Sequence, residues 1–295
     1  MIKRILRHGN KAFLSLVYQP KYLLTLRLTL LLIVLHEIDQ FQLTRVPERL
    51  LAGLMLLYPQ LLSQKLLWLL LCAALVGHNL KFWFILFNHE YLITYWCLVC
   101  TLAVYAKSPD QILTRNAKLL IGLCFCFATI WKLLSGEYLD GSFLHLTFLL
   151  DQRLEMGAVL FGGAEPGALA ANRDLFSLLQ TRGPEETSTL ATSLRLSWVS
   201  LFFSYWTLLS EGGIAIAFLS PYPTWLSNNR DWLLILFILT TYAVIPVFAF
   251  AAILSLLGLA QCPLNLTKRR AIYIAILLLI PIWLPLPQAI FYWLN

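Results

Sequence analysis

From Leu119 to Ile130 the chain carries no charged residue, and this apolar run passes directly into Trp131-Lys132. A lone ammonium at the end of such a run is costly in hydrocarbon unless it reaches water or a partner. Glu137 and Asp140 follow closely, interleaved with Tyr138 and with Gly136 and Gly141. The stretch therefore reads as a lysine held at the rim of a membrane-embedded cavity, with the remaining chain as its helical frame. Composition agrees. Hydrophobic residues make up 59% of the 295 and charged residues only 13%, against about 25% charged in ordinary soluble domains. The mean hydropathy is +0.74. The chain reads as an integral membrane protein in contact with the lipid bilayer. The net charge of +7 sits mostly at the ends of apolar runs and in connections, which is a pattern of membrane orientation and not of nucleic-acid binding.

Cysteine usage excludes two other classes. Cys97 and Cys100 form a C-x-x-C, but inside a predicted helix and with no second pair nearby. They read as buried apolar thiols. No disulfide framework and no metal-ligand spacing stands out.

At about 20 residues per span, the apolar stretches predict an all-α, multi-pass transmembrane helical bundle of about six or seven spans, plus an amphipathic or re-entrant segment. Residues 1–21 carry five basic residues and no acid, and are expected to form a basic amphipathic amino-terminal segment. No small-residue cleavage site follows, which argues against a signal peptide. Residues 22–295 then form a single transmembrane domain. Its first span is expected over Tyr22–Ile38, with Arg27 inside it, either snorkelling to headgroups or pairing within the bundle. Residues 39–61 read as a connection with an interfacial apolar patch. The second span is expected over Leu62–Gly77 and the third over Phe82–Tyr105. The third contains His89 and Glu90, which at membrane depth must face protein or water; alternatively residues 88–90 are themselves a turn. The fourth span covers Leu119–Leu134. A long connection follows at about 135–193, with helical apolar spacing in Ser142–Val159 and an exposed loop at 183–186. The fifth span, Leu194–Leu219, holds Glu211. The sixth, Trp232–Leu259, is expected to kink at Pro246, and the last covers Ala271–Leu294. The basic amino end and Lys268-Arg269-Arg270 are both expected to be cytoplasmic.

The order of these polar positions resembles a known group. Arg27 lies in Leu24-Thr25-Leu26-Arg27, then comes Asn88-His89-Glu90-Tyr91-Leu92, then Lys132 followed by Glu137-Tyr138-Leu139-Asp140-Gly141, the Phe143–Arg153 segment, and Glu211 in a later span. This is similar to the HTTM (horizontally transferred transmembrane) family, which includes the membrane domain of vitamin K-dependent gamma-carboxylase. The resemblance covers roughly Tyr22 to Leu259. It implies a lipid-soluble substrate and a reduced quinone. By position, Lys132 would be the base that deprotonates the hydroquinone and His89 its assistant, with Arg27, Glu211, Glu90, Asp140 and Tyr138 binding or supporting. It also implies a bacterial inner membrane if the source is bacterial. Where the relatives commonly carry a histidine in a late span, this chain has Thr240-Thr241-Tyr242.

Three readings stay open at this stage. The chain is a membrane enzyme using Lys132; or a non-catalytic binder, transporter or assembly partner on the same scaffold; or a bundle whose buried charges only fix its helices. A structure separates them by the distances among Lys132, His89, Glu211 and Arg27.

Overall fold

The computed structural model describes residues 13–36, 42–182, 188–283 and 285–294. The far amino-terminal residues, 37–41 and the loop expected at 183–186 lie outside them. The described residues are all-α, with no strand. The helices are α1 (Lys21–Leu35), α2 (Gln42–Leu57), α3 (Lys65–Phe82), α4 (Asn88–Tyr105), α5 (Pro109–Ser135), α6 (Ser142–Leu150), α7 (Glu155–Leu160), α8 (Pro166–Arg182), α9 (Leu194–Leu219), α10 (Trp225–Asn228), α11 (Arg230–Val244), α12 (Phe248–Gln261), α13 (Thr267–Trp283) and α14 (Pro285–Leu294). Short 3-10 turns occupy Pro59–Ser63 and Gln152–Leu154.

Four helical stretches are long and apolar enough to cross a membrane: Lys65–Phe82, Pro109–Ser135, Leu194–Leu219 and Thr267–Phe291. Their outward faces carry exposed large apolar side chains such as Phe127, Trp198, Leu209 and Ile216. Apolar exteriors of this kind need lipid or protein cover.

Local chemistry explains the ends of the helices. α5 begins with Pro109 at its first position, where the missing N–H is not needed. α9 begins after Ser193, whose Oγ accepts the Leu196 N–H at 3.1 Å, satisfying one of the helix's orphan donors. α8 is alanine-rich and also starts on a proline. Its Asn172 exchanges two 2.8 Å bonds with the Ala191 backbone, tying the approach to α9 onto it.

Several expected boundaries are corrected. Residues 39–61 are not merely a connection, because α2 occupies most of them. The connection expected at about 135–193 is largely helical, since it contains α6, α7 and α8. The third apolar segment does not run from residue 82. Residues 83–87 interrupt it, and α4 starts at Asn88, so His89 and Glu90 occupy a helix's first turn. The sixth segment does not simply kink. Ile245 and Val247 are both extended (φ −119, ψ 91 and φ −117, ψ 93), and the helix breaks in two. Pro246 lacks an N–H, and its ring drives the preceding residue out of the helical region.

That break creates the central element. α12 has 14 residues, and all but Phe248 and Phe250 are buried. A helix apolar all round belongs in a core. At about 21 Å it is shorter than the roughly 30 Å hydrocarbon layer. α1, α4, α5, α11 and α13 pack against it in the larger of two apolar clusters. The smaller cluster joins Leu144 and Phe148 of α6, Leu154, Ala158 of α7, Leu169 of α8 and Leu196 of α9.

A buried polar knot holds α11, α12 and α13 together. Asp231 pairs with Arg269 at 2.9 Å, accepts a bond from the Tyr273 hydroxyl at 3.2 Å, and accepts another from the Gln261 side-chain amide. Removing the carboxylate takes away the one group that a guanidinium, an amide and a phenol share, and leaves the Arg269 charge without its counter-ion. Asp231→Ala should cost about 3–5 kcal/mol and lower the thermal midpoint of the purified protein. An unchanged midpoint would show that the knot does not hold these helices.

Candidate functional site

α5 and α9 pack antiparallel. Gly122 lies against Phe218 and Leu219, while Thr129 lies against Gly212, so numbers rise on one helix as they fall on the other. This brings Lys132, in the last turn of α5, to Glu211 of α9. The Lys132 ammonium donates to Glu211 Oε1. The pair is largely shielded, with side-chain exposures of 14% and 8%. A cation in the last helical turn is also favoured by the helix dipole.

The chain then reverses. Gly136 ends α5 at φ 73 and Gly141 precedes α6 at φ 79, both in the region that favours glycine. Between them Tyr138 folds back, so that Lys132 Nζ lies 5.0 Å from its ring centroid, a cation–π distance. Tyr138 also stacks on Phe143 at 4.6 Å. Burial and the Glu211 carboxylate push the Tyr138 hydroxyl above the usual phenol range, so it stays a neutral phenol. The Tyr205 hydroxyl donates to the Leu139 carbonyl at 3.2 Å and pins this turn to α9.

Lys132, Tyr138 and Glu211 line a cavity of about 420 Å³. Half of its other lining residues are aromatic, including Phe148, Phe203, Trp206, Phe237, Tyr242 and Phe250. Thr240, Thr241 and Tyr242 stand at the end of α11, where the break before α12 opens the wall. Two polar atoms in this lining, Glu211 Oε2 and Thr241 Oγ1, are buried with no hydrogen-bond partner among the described residues. Buried polar atoms are normally satisfied, and exceptions mark places where something else binds. An apolar cavity with a few convergent polar groups is the usual form of a small-molecule site. A shallower apolar groove, about 640 Å³, adjoins it along Trp198 and Phe161 and shares Phe202 and Phe203 with it.

The other expected site residues fall elsewhere. Asp140 is exposed and does not line the cavity. Its carboxylate is bonded by Ser142, whose backbone N–H donates at 2.8 Å. These bonds hold it below the usual carboxylate range. His89 and Glu90 belong to a second buried polar group on the far side of Phe250. There Glu90 pairs with Arg45 of α2 at 2.7 Å. The His89 ring lies 5.5 Å from His36, 5.7 Å from Phe87 and 6.1 Å from Phe250. Phe250 touches both His89 and the cavity, and so separates the two groups. Arg27 is half-buried on α1 and lines neither of them. The geometry therefore joins Lys132, Glu211 and Tyr138 and sets His89, Glu90, Asp140 and Arg27 apart.

Sequence reasoning passed over His36, Arg45 and Glu48, and it gave Trp206 and Thr241 no role. Arg45, Glu48 and Arg49 repeat at helical spacing, which is the signal that could have marked α2 as a helix with a polar buried face.

The Tyr138 turn depends on Gly141. A Cβ there would meet the Leu201 backbone at 3.0 Å as well as forcing a side chain into positive φ. Gly141→Ala should cost about 1–3 kcal/mol, lower the thermal midpoint and raise the solvent accessibility of Tyr138. A midpoint equal to wild type would contradict this account of the turn.

No family model, curated protein or solved structure matches this chain.

Proposed function

We propose that the chain is a multi-pass integral membrane protein of the HTTM type, with its amino end cytoplasmic, that binds a lipid-soluble, ring-bearing molecule between α5, α9 and α11. The observation that carries this reading is a buried ammonium–carboxylate pair at the edge of a largely apolar cavity rich in aromatic rings, with Glu211 Oε2 and Thr241 Oγ1 of the lining residues without hydrogen-bond partners among the described residues. A flat ring suits the aromatic side chains of the lining, and one or two oxygen substituents suit its few polar residues, Lys132, Glu211 and Thr241 among them. The adjoining groove continues the apolar surface, as a hydrocarbon tail requires.

The resemblance to the gamma-carboxylase membrane domain supports a reduced quinone as that molecule. A hydroquinone supplies acidic hydroxyls and reducing electrons. The working unit on the protein side is the pair and not a solitary lysine. In this reading the Glu211 carboxylate takes a proton, and the Lys132 ammonium stabilises negative charge beside it. Thr241 orients the ring substituent, and the aromatic walls exclude water. His89 lies behind Phe250 and has no direct part in this step.

A second reading has a specific observation in its favour. The Asp231–Arg269 pair fixes helices without lining the cavity, so Lys132–Glu211 could serve the same purpose, with the cavity a simple binding place. Ligand binding and turnover separate these readings. The purified protein in lipid nanodiscs is titrated with tailed benzoquinones and naphthoquinones, followed by quenching of tryptophan fluorescence, since Trp206 lines the cavity. Saturable binding is expected, weakened about tenfold or more by Glu211→Gln, which is about 1.4 kcal/mol. Ala128→Trp, which fills the cavity, should abolish it. Equal affinity in wild type, Glu211→Gln and Ala128→Trp would overturn the proposal. Consumption of reduced quinone with oxygen, lost in Glu211→Gln, marks the enzyme; binding without consumption marks the binder.

A further inference from the structure

The second polar group has a composition that the cavity does not explain. His36, His89 and Glu90 are all buried, and each offers a ligand atom within 4.8 Å of the other two. They come from separate places in the chain. His36 follows the carboxyl end of α1, and His89 and Glu90 sit in the first turn of α4. From this convergence we infer that His36, His89 and Glu90 form a binding site for a divalent first-row transition ion, of the zinc and iron class.

The donor set selects that class. Two imidazoles and one carboxylate suit Zn²⁺ and Fe²⁺, whereas Mg²⁺ and Ca²⁺ prefer all-oxygen shells. The distances are compatible. Metal–ligand bonds of about 2.0–2.1 Å put tetrahedral ligand atoms about 3.4 Å apart. The observed upper limit of 4.8 Å between the ligand atoms is a little wider than that value. Three protein ligands leave coordination positions open, as in sites that take a further small ligand.

The surroundings supply support of the kind that metal sites use. Arg45 pairs with Glu90 Oε1 and holds the group as an oriented carboxylate. Arg49 donates to the His36 carbonyl at 2.9 Å and fixes that residue's backbone. Phe87 stacks beside His89 with planes 8° apart, and Phe250 meets it edge-on, leaving the imidazole little freedom to turn. Partners one layer out commonly change metal affinity about 10–100-fold. The carboxyl end of α1 also presents its negative dipole end to His36.

A bound ion would clamp the carboxyl end of α1 to the first turn of α4. It would lie one phenyl ring from the cavity, with Phe250 between. The inference concerns residues outside the cavity, so its failure leaves the reading of Lys132 and Glu211 intact.

The test is metal retention by the intact protein. Chelator-stripped protein in nanodiscs is equilibrated separately with Zn²⁺, with Co²⁺, and with Fe²⁺ under anaerobic conditions, then desalted and analysed for metal per chain. About one ion per chain is expected for these ions and none for Mg²⁺ or Ca²⁺. His36→Gln and His89→Gln should each weaken retention about tenfold or more, while His78→Gln, at another buried histidine, should not. The Co²⁺ complex adds a visible spectrum that reports nitrogen and oxygen ligation, and that spectrum should vanish in His89→Gln. Thermal midpoints confirm that each variant is folded. If a variant fails to fold, the wild-type Co²⁺ spectrum and stoichiometry decide. Wild-type protein that retains none of the three ions, or retention equal in wild type and both folded variants, overturns the inference.

Discussion

An ammonium and a carboxylate meeting between two long apolar helices is the contact from which the architecture around the cavity follows. Alone, either charge would be expensive among apolar side chains, and removing one partner of a buried pair costs about 3–5 kcal/mol. Lys132 and Glu211 meet because α5 and α9 run antiparallel at close range. The turn after α5 then brings Tyr138 over the ammonium, and that turn is anchored on α9. The cavity is the space that remains when a helix pair closed by this contact packs against the broken end of α11. Its polarity is confined to the spot where the charges meet, so anything that enters is oriented by that spot.

The break at Pro246 is the second constraint. It frees α12 to lie wholly inside the bundle and turns Tyr242 and Phe250 toward one another at 6.3 Å. Phe250 consequently becomes the wall between two polar centres. On one side are Lys132, Glu211 and Thr241; on the other are His36, Arg45, His89 and Glu90. Each centre is buried and each is built from helices distant in sequence. The wall keeps their chemistries apart while leaving them within one ring of each other.

The parts legible in the sequence were those that a short window can carry. An uninterrupted apolar run gave the long apolar core of α5, and Leu194–Leu219 matched α9 at both ends, while the second span, expected over Leu62–Gly77, fell short because His78-Asn79-Leu80-Lys81 lies inside α3 and does not end it. Lys132 and Glu211 stood out because each is a charge in an apolar run. Their pairing was not legible, since nothing in a window of 20 residues reports which helix lies next to which. For the same reason His36 went unmarked. It lies 53 residues before His89 in the numbering, far beyond any metal-ligand spacing. Pro246 announced a disturbance, but whether a proline kinks or breaks a helix depends on what packs beside it. Here the buried surface waiting for α12 favoured the break. The second helix was missed because an amphipathic stretch with Pro47 inside resembles a connection until its polar face is seen to be buried.

The most direct measurement is a double-mutant cycle on the stability of the purified protein, using Lys132→Met, Glu211→Gln and the two together. If the pair organises α5 against α9, the single changes will each destabilise and the double change will cost less than their sum, with a coupling of about 2–3 kcal/mol. Effects that add to within about 0.5 kcal/mol would mean that the two charges do not depend on each other, and the account of the cavity built on them would be wrong.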